Sequence, residues 1–300
     1  MLTIGSRGSQ LALWQSRWVQ QRLAALGAES RIEIIHTTGD KVLDVALSKV
    51  GTKGLFTKEI EEALLAGVID LAVHSLKDMP TDLPAGLTLA AIPEREDPRD
   101  ALIGMRLAEI PHGARIGTSS LRRAAQLRAL RPDLVMQDIR GNVDTRLRKL
   151  DEKQYDAIVL ASAGLRRLGW ADRITELLDP AVMCPAAGQG ALAIETRDDG
   201  GDAWRTCQSL NDVETRDAVT AERAVLASLG GGCQVPIGAY ARVDVRLELE
   251  AVVVSPDGAA VIRDSAHGPA ARAEEIGREL GARLMAAGGR EILEAVYGAA

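Results

Sequence analysis

Aromatic side chains are scarce. They make up 3% of the chain, and Phe56 is its sole phenylalanine. The cores must therefore be built from Leu, Val, Ile and Ala, and a base-stacking platform for single-stranded nucleic acid is hard to assemble. Cysteine is nearly absent as well. Cys184, Cys207 and Cys233 are odd in number and widely spaced, which argues against a disulfide framework or a CxxC metal site. His36, His74, His112 and His267 form no ligand-spaced cluster, so no metal is expected. No segment approaches the ~20 consecutive apolar residues of a membrane span. The opening "MLTIGSRGSQLALWQSRW" lacks the basic start and unbroken apolar run of a secretory leader. A reducing cytoplasm is the expected compartment, with no membrane partner.

A surplus of positive charge is also missing. The formal net charge is -6 and the isoelectric point about 5.4, which argues against general nucleic-acid binding. The average hides one exception. Arg115, Arg122, Arg123, Arg128, Arg131, Arg140, Arg146, Arg148 and Lys149 crowd one stretch, opposed by Asp133, Asp138 and Asp144. A local basic stretch on an acidic protein suggests a site for a compact polyanion.

What is present is a regular alternation of short apolar runs and helical patterns. "LTI", "SQLALWQSRWVQQRLAAL", "RIEIIHT", "TKEIEEALLAG" and "IDLAVHS" read as β-α-β-α-β, which predicts a parallel, doubly wound sheet. Pro93 and Pro98, among acids, interrupt the periodicity. A second α/β unit follows: "ARIG", "SSLRRAAQLRAL", "LVMQDI", "NVDTRLRKL" and "YDAIVLA". "CPAAGQGALAIE" then reads as a glycine-rich crossing into a strand that returns to the first sheet, as in two-lobed anion-binding proteins. From about Asp212 the grammar changes. A helix precedes three strands, the last two joined by the turn "SPDG", and "ARAEEIGRELGARLMAAG" closes the chain as a final helix. The expected fold is therefore α/β, with two doubly wound lobes and a C-terminal α+β domain holding a small antiparallel sheet. The boundaries fall at 1–94 with 188–208, 95–187 and 209–300.

In open α/β sheets, ligands bind beyond the C-terminal ends of strands. Arg7 and Ser9 follow the first strand, and Ser75, Lys77 and Asp78 follow "IDLAV". Thr118, Ser119 and Ser120 open a helix whose first turn carries Arg122 and Arg123. Arginines there oppose the helix dipole, which hints at an anionic ligand held by backbone N–H groups and guanidinium forks together. Plainer readings stand beside these. Either serine can simply cap the helix, Lys77 and Asp78 can be an exposed turn pair, and Lys49 and Lys53 can sit on an ordinary glycine-flanked surface loop.

"LGGGCQVPIG" poses a further question. Gly230, Gly231 and Gly232 free the backbone and clear space before Cys233, and Pro236 stiffens the exit. A helix stop with an incidental cysteine is one reading, and an accessible nucleophile is the other.

In order along the chain, "SRGSQLALWQ", "KGLFTKEIE", "AVHSLKDMP", "EREDPRDAL", "GTSSLRRAAQL", "IRGNVDTRL", "AAGQGALAIE" and "GGCQVPIGAY" resemble the porphobilinogen deaminase (hydroxymethylbilane synthase) family. The resemblance runs from about Ile4 to Tyr240 and more loosely to Tyr297. "AAGQG" and "GTKG" depart slightly from the family's forms. The resemblance implies a transferase of tetrapyrrole synthesis that condenses four porphobilinogen molecules head to tail, releasing ammonia each time. It implies a dipyrromethane cofactor joined to Cys233 by a thioether, although no charge in that stretch activates the thiol. Asp78 would stabilise positive charge on pyrrole nitrogens and shuttle protons. Arg7, Lys77, Arg122, Arg123, Arg140, Arg146 and Arg167 match the family's binding residues for acetate and propionate groups. Ser9, Ser75, Thr118, Ser119, Ser120, Lys49 and Lys53 are carried with them as binding candidates. A monomer is expected. Two rivals share parts of the pattern: a two-lobed anion-binding protein without chemistry, and a cysteine hydrolase using Cys233. The second needs a histidine base, and no histidine lies in a supporting motif.

Overall fold

The computed structural model describes residues 1–37, 57–231 and 235–297. The chain falls into two compact units, 1–96 with 191–216 and 97–190 with 217–300.

In the first unit, strands β1 (Leu2–Ser6), β2 (Ser30–Ile34), β3 (Leu71–Ser75), β4 (Leu87–Ala91) and β10 (Leu192–Arg197) form one sheet in the order β2-β1-β3-β10-β4. Alternation along β3 sends Leu71 and Val73 to one face and Ala72 to the other. The first face packs on Val19 and Leu23 of helix α1 (Gln10–Ala25), the second on Ile60 and Leu64 of α2 (Lys58–Leu65). β1 runs parallel to β2 and β3, as the β-α-β order predicts. The sheet is nonetheless mixed, because β10 runs antiparallel to both β3 and β4. It enters from the glycine-rich crossing rather than from a right-handed βαβ unit, so nothing constrains it to run parallel. Helix α6 (Asp202–Gln208) buries Cys207 against the α1 face.

The second unit holds two sheets. In the first, β5 (Asp100–Ile103), β6 (Arg115–Gly117), β7 (Val135–Gln137), β8 (Ala157–Ala161) and β9 (Glu176–Leu177) lie in the order β7-β6-β8-β5-β9. β6 is parallel to β7 and β8, while β5 is antiparallel to β8 and β9. Leu127 of α3 (Leu121–Leu130) packs on one face. Leu147 of α4 (Val143–Asp151) and Leu165 of α5 (Ser162–Arg167) pack on the other. The other sheet is an antiparallel meander of β11 (Ile237–Val243), β12 (Leu247–Val254) and β13 (Val261–Gly268). Its turn closes through Gly258 N–H donating to Ser255 O at 2.8 Å, with Gly258 at φ +80°.

Behind the meander lie α7 (Val213–Ser228) and α8 (Ala273–Leu284), the latter longer in prospect than in fact. The closing helix breaks at Gly288, whose φ of 111° no helix accommodates, and restarts as α9 (Arg290–Tyr297). Gly277 and Gly281 of α8 face α7 closely. A Cβ at Gly277 would lie 2.3 Å from Ala221 O, and one at Gly281 2.6 Å from Ser228 Cβ. Gly277→Ala gains up to ~1 kcal/mol of helix propensity but forces the helices apart at a cost of about 1–3 kcal/mol. Net destabilisation is expected in denaturant unfolding, and unchanged stability would show that the two helices separate freely.

Candidate active site

In the first unit the site residues gather at the C-terminal ends of two neighbouring parallel strands. Arg7 leaves β1, and Ser9 caps α1 by accepting from Ala12 N–H at 3.3 Å. Beside them β3 ends at Ser75, whose Oγ accepts from Gln15 Nε2 of α1 at 2.9 Å. A single 3-10 turn, Leu76–Asp78, follows. The turn is pinned from within: Leu76 N–H donates to Ala191 O at 3.0 Å, Met79 N–H donates to Leu76 O at 3.1 Å, and both side chains are buried. Lys77 is half-buried and Asp78 is exposed. Among the described residues, no hydrogen bond or ion pair engages the Asp78 carboxylate. Arg7, Ser9, Ser75, Lys77 and Asp78 thus share one edge, and the acid among them is available to a ligand.

In the second unit the C-terminal ends of β6, β7 and β8 likewise collect candidates. Three hydroxyls follow β6, and each has work in the fold. Thr118 Oγ1 accepts from Ser120 N–H at 3.2 Å, and Ser120 Oγ caps α3 by accepting from Arg123 N–H at 3.4 Å. Ser119 Oγ donates to Ile139 O at 2.8 Å and accepts from Ile139 N–H at 3.0 Å. Next in the chain comes half-buried Arg140, whose guanidinium makes no hydrogen bond or ion pair among the described residues. Arg146 donates through Nε to Gly141 O at 2.8 Å, and buried Arg167 donates through Nη2 to Gly190 O at 2.6 Å.

Arg122 and Arg123 differ from what their position suggests. Both are buried rather than turned to an open anion site, at 4% and 6% exposure, and both close on Asp100 of β5. Arg122 Nη1 lies 2.7 Å from Asp100 Oδ2 and 2.6 Å from Cys184 O. Arg123 donates through Nε to Asp100 Oδ1 at 2.9 Å and through Nη1 to Val159 O at 3.1 Å. Gln189 completes the cluster, donating to Asp100 Oδ1 at 2.9 Å and to Pro98 O at 2.7 Å. Burial by itself would raise the Asp100 pKa. The two guanidinium charges, with hydrogen bonds from Arg122 and Gln189, outweigh it and hold the carboxyl well below the usual range. The helix dipole is thus answered by a carboxylate from the chain itself. Asp100 and Gln189 are the neighbours of Arg122 and Arg123 that spacing did not reveal. The available signal was an acid inside the apolar strand "RDALI", which demands a buried cation.

Three candidates, Lys49, Lys53 and Cys233, lie outside the described residues. The other two cysteines are informative. Cys184 and Cys207 are wholly buried, and burial pushes each thiol up to about 12. Neither can supply a thiolate near neutrality. Among the described residues, no group of His, Cys, Asp and Glu is placed to hold a metal ion.

Comparison with known proteins adds sequence relationships to this geometry. The family model for the dipyromethane cofactor binding domain of porphobilinogen deaminase matches residues 2–204, and that for the C-terminal domain of porphobilinogen deaminase matches 217–286. Porphobilinogen deaminase of Syntrophobacter fumaroxidans is 53% identical over 303 residues, covering 99% of this chain and 98% of that one. Porphobilinogen deaminase of Geobacter sulfurreducens is 52% identical over 301 residues, covering 99% and 95%. Among solved structures, a methionine binding protein aligns over 70% of this chain and 89% of its own, with a TM-score of 0.45 and 13% identity. That likeness is too distant to bear on chemistry.

Proposed function

The chain belongs to the porphobilinogen deaminase family, and from that premise we propose that Asp78 is its catalytic carboxylate and Cys233 the point where its cofactor is attached. The family's enzymes are transferases that use porphobilinogen and a dipyrromethane cofactor, and that is this chain's activity: hydroxymethylbilane synthesis. The observation that carries the residue assignment is the Asp78 carboxylate, exposed and engaged by no described residue, on a pinned turn at the end of a buried strand.

The residues suit such a cofactor. Its acetate and propionate groups need cationic and hydroxyl donors, and Arg7, Lys77, Arg140 and Ser75 are residues of that kind at strand ends. Its attachment needs a reactive sulfur, and burial removes Cys184 and Cys207 from consideration. When bound, the dipyrromethane supplies a free pyrrole α-carbon as the acceptor for substrate units. Asp78 holds a pyrrole N–H of the substrate, stabilises the positive charge that develops there as ammonia leaves, and exchanges a proton with the reacting centre. Arg7, Lys77, Arg140, Arg146 and Arg167 bind carboxylates, with Ser9, Ser75, Thr118, Ser119 and Ser120 as hydroxyl partners and Lys49 and Lys53 as further cations. Arg122 and Arg123 add positive field from within, oriented by Asp100. Residues 209–300 act as a third domain, since the meander has a core of its own with α7 and α8.

The protein works as a monomer in a reducing cytoplasm. The two described cysteines are free, and no described helix is long and apolar enough to cross a membrane.

Intact mass of the denatured protein tests the attachment. The wild type should exceed its chain mass by two linked pyrroles, and brief incubation with porphobilinogen should add a ladder of further pyrrole units. Cys233→Ser should abolish the excess, whereas Cys184→Ser and Cys207→Ser should keep it. An active wild type of bare chain mass would remove Cys233 from the mechanism. Reversible ligand exchange without any adduct would instead indicate a binding protein.

A further inference from the structure

Because no described residue holds the Asp78 carboxylate, its placement depends on the strand that delivers it. β3 carries an unusual ending. Leu71, Ala72 and Val73 are apolar and buried, but His74 and Ser75 are both polar and project to opposite faces of the sheet. Each is tied down. On the α1 face Ser75 Oγ accepts from Gln15. On the α2 face His74 Nε2 lies 3.0 Å from Glu195 Oε2 of β10, with the two side chains 6% and 0% exposed.

This second tie is costly. Glu195 Oε1 is buried with no hydrogen-bond partner, so His74 is the one polar contact of that carboxylate among the described residues. Glu61 of α2 faces the same pair and adds to the expense. Burial raises its pKa first, and Glu195 raises it further, while the Thr57 hydroxyl and His74 oppose them. Desolvating such groups gains nothing for packing, since an apolar side chain fills the same volume without the penalty. Buried polar groups that the core does not need are a mark of a functional constraint.

The geometry shows what the constraint delivers. β10 pairs His74 with Ala193 and Ala72 with Glu195, so the His74–Glu195 contact runs diagonally across the ladder. A diagonal tie resists sliding of β3 along β10, and a one-residue slip would turn every β3 side chain to the wrong face. The same segment also receives the Leu76 N–H, through Ala191 O. We propose that His74 and Glu195 form a positioning pair that locks the end of β3 against β10 and thereby fixes the turn presenting Asp78 to substrate. The inference rests on the assignment of Asp78 made above.

The test uses the full-length, cofactor-bearing protein and two readouts: kcat against KM, and hydrogen exchange of the 76–79 turn by mass spectrometry. His74→Leu should speed exchange at the Leu76 and Met79 amides about tenfold, as expected when a hydrogen bond to a charged group is lost. It should lower kcat about tenfold through misplacement of the reacting group, with KM within about twofold. Exchange in α1 should stay at the wild-type level. His74→Gln, whose amide nitrogen can replace Nε2, should recover most of both losses. Glu195→Gln keeps the acceptor but weakens the tie, so it should move both readouts part of the way, and it decides the matter alone should His74→Leu not fold. Wild-type exchange and wild-type kcat in Glu195→Gln and in any folded His74→Leu would overturn the proposal, as would faster exchange at unchanged kcat. Failure of the Asp78 assignment shows separately, as an Asp78→Asn protein that elongates normally.

Discussion

Asp78→Asn should lower turnover on the order of a hundredfold or more while leaving the attached cofactor in place. The substitution preserves size and some hydrogen bonding but removes the charge proposed to oppose a cationic pyrrole and the basicity proposed to accept its proton. The structure makes the expected result clean. Asp78 is exposed and its carboxylate is engaged by no described residue, so stability should change by no more than about 0.5 kcal/mol. Lost turnover in a protein of wild-type stability then belongs to the chemistry. Asp78→Glu keeps the charge on a longer arm and should retain part of the activity. The measurement is single-turnover consumption of porphobilinogen by folded, cofactor-loaded variants. Equal rates for Asn and wild type would reduce Asp78 to a turn residue.

Asp100→Asn has the largest expected effect on stability. Removing the charge leaves the Arg122 and Arg123 guanidiniums buried without the carboxylate that both contact. Breaking a buried ion pair from one side costs about 3–5 kcal/mol, which lowers the thermal midpoint by about 5–8 °C for a chain of this size. The pH dependence has a definite sign. The folded Asp100 pKa is depressed below the ordinary 3.8, so its contribution is fully present above that value and is lost only as pH falls through the lower folded value. The gap between wild type and Asp100→Asn should therefore be full at pH 7, persist near pH 4, and close only in stronger acid. Denaturant unfolding at these pH values checks it. A variant as stable as the wild type at pH 7 would mean that both arginines can reach water, and the buried cluster would lose its structural meaning.

Much of the site was legible because its signals are local. A cap on α3 follows from hydroxyls standing just before a helical period; Ser119 and Ser120 both offered it, and Ser120 forms it. The placement of Asp78 beyond a buried strand follows from the apolar run "IDLAV" and the break after it. The Arg122 and Arg123 pair shows where local reasoning stops. Two arginines against a helix dipole do signal a nearby anion, yet only a contact spanning more than twenty residues shows that Asp100 supplies it. The kink at Gly288 was hidden for a related reason. Glycine is tolerated within a helix, and the positive φ at this one depends on the packing of the chain that continues beyond it.

By itself the amino-acid sequence determined the order of strands and helices, the caps, the family motifs and the one cysteine set among glycines. Periodicity, capping and turn chemistry act between residues a few positions apart, so one dimension is enough to express them. Only the tertiary structure decided that β10 runs antiparallel beside β3, that Asp100 pairs with arginines 22 and 23 positions away, and that Glu195 reaches His74 across 121 residues. Those choices are made by desolvation. A buried charge must find its partner wherever the fold brings one, and separation along the chain carries no record of that distance in space.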